Sequence, residues 1–95
     1  MSIKLDFAKQ LKAQIDVWQA QIENAQGELE KANARARADY DKTIAQLKER
    51  AEDARKLLEQ VQKVNESAWN DMQGATHKAF AQLQKGWADA ISRFT

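Results

Sequence analysis

The chain has 95 residues, of which 31% are charged, 43% hydrophobic and only 7% aromatic, and its formal net charge is +1. This length allows one domain at most, so we predict a single domain over residues 1–95. The balanced charge lacks the clustered basic footprint of nucleic-acid-binding proteins, and the absence of cysteine excludes disulfides and zinc–thiolate sites.

The first two thirds of the chain carry a regular stripe of apolar residues. From Leu11 to Ala36 they recur at alternating steps of four and three, the heptad spacing of a coiled coil. The stripe continues to Val61 after one irregular step of four, which we interpret as a stutter within an unbroken helix, with no hairpin turn. The sequence therefore predicts one long helix over about residues 3–65. Its stripe is predicted to be a self-association seam formed by Leu11, Ile15, Trp18, Ile22, Leu29, Tyr40, Ile44, Leu47, Leu58 and Val61.

The last third of the chain has an eleven-residue apolar spacing, which is typical of a straight or slightly right-handed stripe. The segment Asn65-Glu66-Ser67 is the best candidate for a helix stop followed by a new N-cap. We predict a shorter amphipathic helix over about residues 69–94, either continuous with the long helix or folded back at a bend within residues 64–75. Its aromatic face comprises Trp69, Met72, Phe80, Leu83, Trp87, Ile91 and Phe94.

The predicted fold class is all-α. One long helix cannot bury its own seam, and the shorter helix covers less than half of it. We therefore expect a homo-oligomeric coiled-coil bundle, from a dimer to a tetramer, because the mixed seam does not fix the number of strands.

Catalytic and metal-binding patterns are weak. His77 is the only histidine, and Phe80 and Ala81, one turn further along its face, are not metal ligands. A basic cluster is offset by nearby acids; it comprises Lys31, Arg35, Arg37 and Lys42, and the acids are Asp39 and Asp41. We predict no enzyme activity, no metal site and no cofactor.

The aromatic face is expected to be buried against another surface, because burial of each large side chain contributes roughly 1.5–3 kcal/mol to stability. Packing on the long helix or on a second copy is the first interpretation. The alternative is a lipid or granule surface, as for phasins and apolipoproteins. The helix favours this alternative only weakly, because Lys78, Lys85 and Arg93 are offset by Asp71 and Asp89.

Several segments resemble a known protein family. They are residues 11–18 (LKAQIDVW), 36–40 (ARADY), 44–48 (IAQLK), 68–72 (AWNDM) and 90–94 (AISRF). In these segments the chain resembles small bacterial coiled-coil-domain proteins of about this length, which are also labelled stress-associated. The resemblance implies neither an enzyme activity nor a cofactor.

Two classes of function follow. The first is a cytoplasmic, non-enzymatic assembly or interaction protein, stress-associated by its resemblance, that binds itself and other proteins. The alternative is a peripheral protein of a lipid or granule surface. No nucleic-acid partner is expected.

Overall fold

A computed structural model describes residues 3–94, except for the side chains of Ile3 and Phe94, and it is all-helical, as predicted. Helix α1 spans Ile3–Lys31, α2 spans Ala34–Lys63 and α3 spans Glu66–Ile91, followed by a short 3-10 turn at Ser92–Phe94. The helices run up, down and up, and together form a bundle of 52 × 18 × 18 Å.

The prediction of one helix over residues 3–65 is wrong, because the chain reverses direction at Ala32 and Asn33. Asn33 has extended backbone angles, and its side-chain oxygen accepts a hydrogen bond from the Ala36 N–H at 2.9 Å. This cap satisfies one of the free N–H groups of the first turn of α2. The irregular step at Ala36 is therefore the sign of a turn, not a stutter.

The second reversal lies at Val64 and Asn65, inside the predicted bend of residues 64–75, and α3 is folded back rather than continuous. Asn65 repeats the geometry of Asn33, because its side chain accepts from the Ala68 N–H at 2.8 Å. The Lys4 ammonium group donates to the Val64 carbonyl at 2.7 Å. This bond ties the start of α1 to the end of α2, whose last carbonyl groups favour a cation.

The interface of α1 with α2 is built differently from its interface with α3. Between α1 and α2, small buried side chains such as Ala25, Ala51 and Ala54 let the backbones approach closely. Between α1 and α3, large aromatic rings fill the space, and the backbones rarely come within 8 Å of each other. The tryptophan rings of α3 thus keep it at a distance from α1.

Most of the predicted seam is buried within one chain. Leu11 and Leu47 are both 0% exposed, because α2 folds back on α1 and α3 covers both helices. The reason given for an oligomer, a seam that a single chain cannot bury, therefore does not hold for the middle of the bundle.

Candidate functional site

The predicted seam residues differ in how completely the chain covers them. Seven are buried, namely Leu11, Ile15, Trp18, Ile22, Ile44, Leu47 and Val61. Leu29, Tyr40 and Leu58 are only half-buried. Leu29 and Tyr40 lie at one end of the bundle, close to the α1–α2 turn.

The predicted aromatic face of α3 points at α1. Trp69 and Trp87 are 1% and 4% exposed. Its half-buried members are Met72, Phe80, Leu83 and Ile91, which pack against the core. The side chain of Phe94 lies outside the described part of the chain.

Two aromatic groups join α1 to α3. Trp18 stacks on Trp87, and the Trp87 indole N–H donates to the Gln21 side-chain oxygen at 2.6 Å. Nearer the start of both helices, Phe7 lies with its ring centroid 5.3 Å from that of Trp69 and 5.8 Å from that of Phe80. Phe7 lies four residues before Leu11, and this spacing extends the apolar stripe of α1 backwards.

His77 is solvent-exposed, and its ring makes an edge-type contact with that of Phe7 at a centroid distance of 4.5 Å. Within residues 3–94, no group of three or more histidine, cysteine or acidic side chains is arranged to hold a metal ion. None of the described helices has both the length and the apolar character that are needed to cross a membrane.

The strongest candidate site is the hairpin tip, which we define as residues 28–40. Helix α3 ends at Ile91, which lines a groove together with Gln21, Asn24 and Glu28 of α1. Because α1 continues to Lys31, its last turn and the first turn of α2 extend past the end of α3. The seam is covered by two helices here instead of three, which explains the partial exposure of Leu29.

The charges of the hairpin tip are divided between its two helices. The end of α1 carries exposed Glu28, Glu30 and Lys31, a net charge of −1, and the start of α2 carries exposed Arg35, Arg37 and Asp39, a net charge of +1. The first turn of α2 contains no acidic residue. Arginines in this position oppose the helix dipole, which favours negative charge at an N-terminus. The tip thus offers an acidic and a basic surface side by side.

The chain was compared with protein-family models, curated proteins and solved structures, and none of them matches it.

Proposed function

We propose that this protein is a non-enzymatic interaction protein that associates with a second copy of itself through the hairpin tip. One observation carries the proposal: Leu29 is half-buried at the tip, whereas Leu11 and Leu47 in the middle of the seam are fully covered. A second tip laid against the first would cover this apolar end. The resemblance to small bacterial coiled-coil proteins adds a cytoplasmic, stress-associated role to the proposal.

Charge complementarity supports a second copy as the partner. In a two-fold arrangement both chains use the same patch, and each half of the patch can meet the other half on the partner chain. Glu28 and Glu30 of one copy can then face Arg35 and Arg37 of the other. The contact area is small, so the association is weak and depends on protein concentration. It also weakens as salt is added, because the charges involved are exposed.

Sedimentation velocity over a series of protein concentrations tests this proposal. The wild-type chain is expected to shift towards a dimer as its concentration rises. Leu29→Glu should remove the shift, because it places a charge in the apolar part of the contact. Leu5→Glu is the matched control, since Leu5 is a 56% exposed leucine near the other end of the same helix.

Circular dichroism of both variants shows whether the bundle remains folded. A wild-type chain that stays monomeric into the millimolar range would overturn the proposal. So would an equal loss of association in Leu5→Glu. The lipid-surface alternative ranks second, because it requires Trp69 and Trp87 to leave the core.

A further inference from the structure

Arg50 on α2 packs against Gly86 on α3. A Cβ atom added to Gly86 would lie 2.5 Å from Arg50 Nη1, 2.6 Å from Cζ and 3.0 Å from Nε. The first two distances are shorter than real Cβ atoms show, and the third is tighter than nine in ten real Cβ contacts. The guanidinium group therefore occupies space that exists only because residue 86 is glycine. This close approach explains why α3 has a glycine here, although glycine destabilises the interior of a helix.

The charge of Arg50 has no partner within the described part of the chain. Its Nε atom is buried and makes no hydrogen bond, and no described carboxylate pairs with it. A buried donor without an acceptor is costly, and for a charged group the cost is higher. Arginine also presents its donors in a planar fork that matches a carboxylate.

The guanidinium group stands in a groove between α2 and α3. The groove has a half-buried apolar part, Leu57, Ala79 and Leu83, and its other lining residues are Asp53, Lys56, Gln60 and Gln82. With Arg50 and Lys56 positive and Asp53 negative, its net charge is positive. The groove thus combines an unpaired cation with an apolar surface beside it.

We propose that this groove binds a carboxylate ligand that carries an apolar chain, with the carboxylate on Arg50 and the chain on Leu83 and Leu57. The site is separate from the hairpin tip and does not depend on self-association. The carboxylate would pair with the positive charge of the Arg50 guanidinium group, and the apolar chain would cover the half-buried leucines.

Titrations with sodium acetate and sodium hexanoate test the assignment, with the arginine Nε–Hε signals followed by nuclear magnetic resonance. The five arginines report in one spectrum, so Arg35, Arg37, Arg55 and Arg93 serve as internal controls. The chemical shift of the Arg50 signal is expected to change with ligand concentration and reach a plateau. The chemical shifts of the other four signals should change only gradually, without a plateau. Each buried methylene group contributes about a fourfold gain in affinity, so hexanoate should bind at least about tenfold more tightly than acetate.

Gly86→Ala should lower the hexanoate affinity at least about fivefold at unchanged net charge, because the new methyl group displaces the guanidinium group. Gly74→Ala is the matched control on the same helix, since nothing lies within 4 Å of its added Cβ. Asp53→Asn should strengthen binding, because it removes the competing carboxylate of the groove. An Arg50 signal that behaves like the other four, equal affinities for acetate and hexanoate, or equal binding in Gly86→Ala and Gly74→Ala would overturn the proposal.

Discussion

The indole ring of Trp18 in α1 lies flat on that of Trp87 in α3, with ring centroids 4.5 Å apart and an interplanar angle of 7°. These rings come from the two ends of the sequence, and their contact fixes the register between α1 and α3. Offset or stacked aromatic pairs contribute about 0.5–1.5 kcal/mol beyond the burial of their area. The pair thus holds the third helix on the hairpin formed by the first two.

The two buried tryptophans of α3 differ in one hydrogen bond, which gives the first prediction. The Trp87 indole N–H donates to Gln21, whereas the buried Trp69 N–H has no partner among the described residues. Phenylalanine lacks this N–H. Trp87→Phe therefore loses the hydrogen bond to Gln21, whereas Trp69→Phe removes a buried donor that has no acceptor. Trp87→Phe should therefore destabilise the bundle by at least about 1 kcal/mol more than Trp69→Phe. Urea unfolding followed by circular dichroism measures both, and a larger loss for Trp69→Phe would contradict the hydrogen-bond assignment.

Leu47 lies at the centre of α2 and is completely buried. Leu47→Asp should lower the free energy of unfolding by more than about 4 kcal/mol, because it removes apolar packing and buries an unpaired charge. This is a large part of the roughly 5–15 kcal/mol that stabilise a typical domain. Glu49→Ala, on the exposed face of the same helix, should change it by less than about 0.5 kcal/mol. Equal thermal midpoints for the two variants would show that Leu47 is not in the core.

Asn33 and Asn65 cap the two helices that follow the turns. Replacing either with alanine should cost about 1 kcal/mol, because a free N–H in the first turn loses its acceptor. Asn70→Ala, at an exposed position inside α3, is the control and should be neutral or slightly stabilising. Thermal unfolding of the three variants decides between the bundle and one long helix. If residue 33 lay inside a continuous helix, Asn33→Ala would behave like Asn70→Ala.

The sequence indicated the helical class and the second turn but not the first. Asn65 is followed by Glu66 and Ser67, polar residues that favour a new first turn, whereas Asn33 stands among alanines and arginines that are equally suited to a helix interior. Both asparagines make the same cap, so the difference lies in their neighbours. A single missed turn converts an in-chain core into an apparent seam for other chains.

The contacts of the candidate sites could not be predicted in the same way. Periodicity assigns Trp18 and Trp87 to apolar faces, but it contains no information on the register between helices that are not adjacent in the sequence. The approach of Arg50 to Gly86 depends on that same register. A glycine inside a helical pattern was the available signal, since it often marks a close approach.

All three tryptophans are buried, so their emission should already be blue-shifted in buffer. Adding anionic liposomes should change the emission spectrum little, for two reasons. The aromatic face is packed on α1, and α3 itself has few basic residues to attract anionic lipid. Helicity measured by circular dichroism should also stay constant. Red-shifted emission in buffer that moves to the blue with liposomes, together with a gain in helicity, would favour the lipid-surface alternative instead.

Distances between two copies test the proposed association most directly. The chain has no cysteine, so a single introduced cysteine carries a single spin label. In a dimer joined by its tips, labels at Ala34→Cys, an exposed position beside the Asn33 cap, should lie within about 25 Å of each other, given helices packed 8–10 Å apart and 1.5 Å of rise per residue. Labels at Ser67→Cys, at the other end of the bundle, should be separated by nearly twice its 52 Å length. A short distance between the labels at 67, or no short distance between the labels at 34 in a sample that sediments as a dimer, would contradict the proposed association through the tip.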